Sequence, residues 1–166
     1  MFREMRRRMQ QLDREEAIRI LTEGSHGTLA LSGDDGYPYA LPISYAYFDD
    51  CLIFHSAITG HKIDSIRRSG KASFTVVERD DVVPEGYTTL YRSVIAFGRI
   101  RIIDDDAEKI RLLRILCAKY APMNSDERRD QAIGANLHNT ALLVLDIEHM
   151  TGKESKDLAS RRHAHR

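Results

Sequence analysis

The chain is 166 residues long, 42% apolar and 30% charged, and its 25 basic and 25 acidic side chains cancel when the histidines are neutral. That length suits one domain with a filled core, and the balanced charge gives no global pull toward nucleic acid or an anionic membrane. No apolar run reaches membrane-spanning length and no secretory signal follows the N-terminal arginines, so the expected compartment is the cytoplasm.

Both ends are basic, FREMRRRMQQ and ASRRHAHR, and read as solvated termini. Residues 13 to 23, DREEAIRILTE, carry early acids and apolar Ala17, Ile18 and Leu21, which predicts an amphipathic helix stopped at Gly24. HGTLALSG follows as a strand, and Asp35-Gly36 marks a hairpin turn. YPYALPISYAYF then reads as one long strand whose Pro38 and Pro42 place it at an edge or bulge, since proline cannot donate to a ladder. Asp49-Asp50 turns the chain into CLIFHS, a third strand. TGHKIDSIRRSG predicts a short helix, with Ile63 and Ile66 on one face, arginines at its C-terminal end and Gly70 as cap. KASFTVVE is a fourth strand, residues 80 to 87 a loop, and TTLYRSVIAFGRIRII a long fifth strand bent at Gly98. DDDAEKIRLLRILCAKY is a strong helix, followed by a polar connector, the sixth strand TALLVLDIEHM and a charged tail. Helix, three strands, helix, two strands, helix, strand predicts a mainly β, six-stranded antiparallel barrel with flanking helices. The expected organisation is an N-terminal helix over 1–24, a barrel domain over 25–152 and a flexible tail over 153–166.

Chemistry concentrates where the third strand gives way to its helix. A helix start near Gly60 offers unpaired backbone N–H groups, Ser56 and Thr59 add hydroxyls, and Lys62 brings a full charge, which together are the requirements of a phosphate cradle. The same spacing also fits an ordinary N-cap at Ser56 or Thr59, a core histidine at His55, and His61 and Lys62 pointing to water.

The wider pattern separates these readings. IFHSAITGHKIDSIRRSGKASFTV, preceded by YALPISYAY and followed by GYTTLYRSVIAFGRIRII, resembles the pyridoxamine 5′-phosphate oxidase-related family of flavin-binding split barrels. Within it the chain looks most like the branch containing nitroimidazole-resistance proteins, over roughly residues 13 to 152. The resemblance implies a homodimer with FMN in a cleft between subunits. It places His55, Ser56, His61 and Lys62 around the phosphate, Leu41, Pro42, Ile43 and Ser44 along the flavin ring, and Arg92 and Ser93 at a further flavin contact. The oxidase proper has an Arg-Lys pair where this chain has His61-Lys62, and its substrate-binding C-terminal segment has no counterpart in TGKESKDLASRRHAHR. Pyridoxamine phosphate oxidation is therefore not expected. The implied activity is transfer of two electrons from NADH or NADPH, through FMN, to a small nitroaromatic or quinone-like acceptor; the alternative is a flavin, haem or deazaflavin carrier.

Other clusters read as structural. Asp104, Asp105 and Asp106 stand before a strong helix, where acids cap and complement the dipole. Cys51 and Cys117 lack metal-ligand spacing and act as small apolar residues, and His163 and His165 lie in the tail. A Ser56–His61–Asp64 triad lacks a nucleophile elbow, and the tyrosines of the long strands serve packing.

Overall fold

The computed structural model describes residues 2–164. Chain order is β1 (Gln11–Leu12), α1 (Arg14–Glu23), β2 (His26–Ser32), β3 (Pro38–Ser44), β4 (Ala46–Phe48), β5 (Cys51–Ala57), α2 (His61–Arg68), β6 (Lys71–Val83), β7 (Thr88–Ile103), α3 (Asp106–Tyr120), α4 (Asp126–Asn136), β8 (Thr140–Glu154) and α5 (Lys156–Ala164). All ladders are antiparallel, in the order β3-β2-β6-β7-β8-β5-β4, with β1 added to β8. The class is therefore mainly β with flanking helices, and the strands form a split barrel.

The split lies inside YPYALPISYAYF. Residues 38–44 pair with β2 at one edge of the sheet, whereas 46–48 pair with β5 at the other, so this segment closes the barrel across Tyr45. The expected single strand is thus two. That break and the two-residue β1 account for eight strands among the described residues where six were predicted. Pro38 and Pro42 do sit on an edge strand, where their missing N–H groups cost no ladder bond. At the break, the Tyr120 hydroxyl accepts from Tyr45 N at 2.9 Å and donates to Tyr45 O at 2.8 Å, satisfying backbone groups that lie between the two strands.

The barrel core is built from fully buried Leu29, Phe54, Phe74, Val94 and Leu143, with Ala17, Ile20 and Leu21 of α1 in the same cluster. Asp13 caps α1 by accepting from Glu16 N at 2.9 Å. A second cluster lies outside the barrel, where Ile53, Leu142 and Val144 meet Leu112 and Leu113 of α3 and Ile133 of α4. β5 is consequently buried on both faces along Leu52–Phe54, which explains its uninterrupted apolar run.

Gly98 stands at a register shift between β7 and β8, as its expected bend implied. A Cβ there would lie 1.9 Å from Asp146 O, a distance no side chain tolerates. Gly98→Ala is expected to cost about 1–3 kcal/mol, as overpacking does, readable as a lower midpoint in urea melts.

Two further expectations are corrected. Residues 80–83 extend β6 and pair with 88–91, so only Pro84–Gly86 remains as a turn of the predicted loop. The connector contains α4, capped by Ser125, which accepts from Arg128 N at 3.3 Å. Past the expected end of the barrel at 152, residues 153–154 complete β8, and α5 buries Leu158 and Ala159. Met1, His165 and Arg166 lie outside the described residues.

Candidate functional site

Helix α2 starts at Gly60, whose φ of 116° and ψ of 173° belong to a region that only glycine occupies without strain. Nothing stands within 4 Å of where a Cβ would project, so the backbone there is open. No side chain caps the helix, which leaves Ser56 and Thr59 out of that role and the first N–H groups of α2 free of side-chain acceptors among the described residues. His61 is held in place: its ring stacks on Tyr39 at 4.0 Å, and Nε2 lies 3.4 Å from Asp34. Arg68 donates to the same Asp34 at 2.9 Å and to Ser32 O at 2.9 Å, which ties α2 to the β2–β3 turn.

Lys62 is different. It is half-buried, has no ion-pair or hydrogen-bond partner among the described residues, and burial pushes its amine below the ordinary lysine range. A desolvated cation beside uncapped helix N–H groups is a place where an anion is favoured.

Strand alternation sorts the β5 residues. Phe54 points into the barrel and Ile53 toward α3 and α4, so Ser56 shares the Phe54 side and His55 the helix side. His55 is exposed and has no hydrogen-bond partner among the described residues. On β3, Leu41 and Ile43 pack against the barrel core, while Pro42 and Ser44 face outward. Ser44 and His55 meet at a cavity of about 530 Å³ roofed by α3 and α4, with Leu116, Tyr120, Ile133 and Asn136 among its walls.

Arg92 and Ser93 stand apart from this group on β7. The Arg92 guanidinium meets Glu16 at 3.2 Å, Glu78 at 3.4 Å and fully buried Glu154 at 3.2 Å. Ser93 pairs with Val77 and Lys153 on the outer face of the sheet. The sequence reading predicted α3 but gave its cavity-facing residues no functional role, and it missed α4. Ser125 followed by Asp126 and Glu127 was the available signal for α4, being a helix-start pattern.

The profile of the pyridoxamine 5′-phosphate oxidase family matches residues 13–154, from the cap of α1 to the end of β8. The chain belongs to that family. Among curated proteins none matches it. Several solved structures share the pyridoxamine 5′-phosphate oxidase family architecture seen here. A candidate 5-nitroimidazole antibiotic resistance protein of Bacteroides thetaiotaomicron is 23% identical, with a TM-score of 0.75 over 87% of this chain and 86% of that one. An FAD-binding protein of Mesorhizobium loti is 24% identical, with a TM-score of 0.63 over 88% and 97%. The FAD and heme binding protein of Mycobacterium smegmatis is 23% identical, with a TM-score of 0.72 over 92% and 80%. At these identities the likeness establishes the fold this family member shares with them. Among the described residues, no helix is long and apolar enough to cross a membrane.

Proposed function

We propose that this protein is an FMN-binding flavoprotein that takes two electrons from NADH or NADPH and passes them to a small, uncharged electrophile such as a nitroaromatic or a quinone. The observation that carries the reading is Lys62, a half-buried amine with no counter-ion among the described residues, next to an uncapped helix start opened by Gly60. A dianionic phosphate supplies what both lack. The flavin ring then lies along Leu41, Pro42, Ile43 and Ser44, with Ser56 and His61 completing the phosphate end; His55, expected there too, stands on the opposite face of β5, toward the cavity under α3 and α4. In this cytoplasmic role the protein binds and orients the cofactor, and the flavin supplies the redox chemistry.

The cofactor site is completed by a second copy of the chain. Two outward rows cross five strands of the sheet, Pro42–Thr28–Thr75–Ile95–Thr151 and Ala40–Ala30–Ser73–Phe97–His149. Neither row contains Asp, Glu, Lys or Arg, in a chain that is 30% charged. Charge depletion of this kind marks the middle of an interface. Ser93 borders the same face and is the β7 contribution to the partner's flavin; Arg92 is already balanced by three carboxylates and adds less.

A second reading is favoured by one observation: the unpartnered His55 imidazole faces a largely apolar cavity, as a haem ligand would. The absorption spectrum of purified protein separates the two. A bound flavin spectrum, bleached anaerobically by NADH or NADPH, with a dimer mass in light scattering, is the expected result. Flavin bound but unreduced by either nucleotide turns the reading to a carrier, and a haem spectrum turns it to the His55 site. Protein that stays colourless after incubation with FMN removes the proposal.

A further inference from the structure

We propose that the cavity beneath α3 and α4 is a binding site for uncharged, flat one- or two-ring aromatic molecules that carry a hydrogen-bond-accepting edge. Its volume of about 530 Å³ falls within the range of about 300–1,000 Å³ typical of small-molecule sites. None of its lining residues is Asp, Glu, Lys or Arg. The walls are apolar, with Leu113, Leu116 and Ile133 from the helices, and the hydroxyls of Ser44 and Thr140 with the His55 ring supply donors from the strands. Burial also pushes the Cys117 thiol up, which keeps that wall neutral. A carboxylate or phosphate entering here would lose hydration and gain no counter-ion, so the site selects against charge.

The cavity is preformed because its roof is fastened at several points. Arg114 forks onto Asp130 at 2.6 and 2.7 Å, joining α3 to α4. Lys109 donates to Leu137 O at 2.6 Å beyond the end of α4, and Tyr120 holds the end of α3 to Tyr45. Binding to the cavity stands by itself; that its occupant is the electron acceptor rests on the proposed flavin site, with which it shares Ser44.

Calorimetric titration of the full chain with 4-nitrotoluene and with 4-nitrobenzoate tests the assignment, since the two probes differ chiefly in one charge. The expected result is at least tenfold tighter binding of 4-nitrotoluene. Ala132 lines the cavity from the exposed helix α4, so Ala132→Leu and Ala132→Phe fill it by steps and are expected to weaken 4-nitrotoluene in that order, with the melting temperature recorded for each. Equal affinity for both probes, or unchanged 4-nitrotoluene affinity in a folded Ala132 variant, overturns the proposal. Binding of 4-nitrotoluene by a protein that takes up no FMN upholds the cavity and removes only the acceptor role. FMN uptake without nitrotoluene binding removes the cavity and leaves the flavin reading intact.

Discussion

Lys62→Ala is expected to raise the FMN dissociation constant about 10- to 100-fold and leave the melting temperature of the free protein unchanged or slightly higher. A hydrogen bond to a charged group is worth about 1.5–3 kcal/mol, and every 1.4 kcal/mol is about a factor of ten in affinity. The free protein does not suffer, because the amine it loses is half-buried and has no partner among the described residues. The pH dependence follows from the same burial. The folded-state amine is held below the ordinary lysine range, so its protonated form costs stability at neutral pH. That cost begins to shrink as pH passes the depressed value and is gone above the ordinary lysine range. FMN affinity is therefore expected to fall on the alkaline side, earlier than an exposed lysine would allow, while the contribution of this group to the stability of the free protein rises. Flavin fluorescence titrations and thermal melts across the same pH series read the two opposite slopes. Equal FMN affinity in wild type and Lys62→Ala would show that the phosphate is held elsewhere.

The second large effect is expected at Glu154. Its carboxylate is fully buried and lies 2.6 Å from Arg162 of α5 and 3.2 Å from Arg92 of β7. Arg92 continues to Glu16 and Glu78, and Arg19 of α1 bonds both of those acids, so one network ties α1, β6, β7, β8 and α5 together. Removing one member of a buried ion pair costs about 3–5 kcal/mol because the remaining charges stay desolvated. Glu154→Ala belongs near the lower end of that range, since Arg92 keeps two other carboxylates. At about 2–4 °C per kcal/mol for a chain of this size, the melting temperature is expected to drop by about 6–12 °C. Glu154→Gln, which keeps a hydrogen-bond acceptor, should lose less. Within the network, the hydrogen bond from Arg19 holds the Glu16 carboxyl below the ordinary glutamate range. A depressed folded-state value contributes stability that is present above the ordinary glutamate pKa and lost as pH falls through the folded one. Acid melts below about pH 4 are expected to show that loss. A Glu154→Ala protein that melts with wild type would mean the network adds nothing.

The parts that were legible in the sequence are those where one local signal dominates. Asp13 and Asp105 announced α1 and α3, and both side chains are seen accepting from the third residue on. Gly98 announced its bend because no other residue fits against Asp146 O. The proposed cradle was visible as a string of residue types over 55–62, but the most informative property of that stretch, the absence of a partner for Lys62 among the described residues, exists only in three dimensions. The strand break at Tyr45 was hidden for a similar reason: apolar alternation continues through it, and only closure of the barrel decides which edge each half joins. Helix α4 buries Ile133 alone and α5 only Leu158 and Ala159, too few apolar positions to trace a 3.6-residue period. Residues 80–87 read as a loop, yet Val82, Val83, Thr88 and Thr89 sustain a ladder between themselves.

The phenol of Tyr120 reaches both the amide and the carbonyl of the residue where the barrel is cut. Floor and ceiling are thereby soldered at one corner, where Tyr120 also bonds Ser25 O and Lys119 beside it bonds Gly24 O, so the end of α3 is seated on the β3–β4 break and on the start of β2 together. Tyr120→Phe would loosen that corner without emptying it, leaving Lys119 as the tie between α3 and the start of β2.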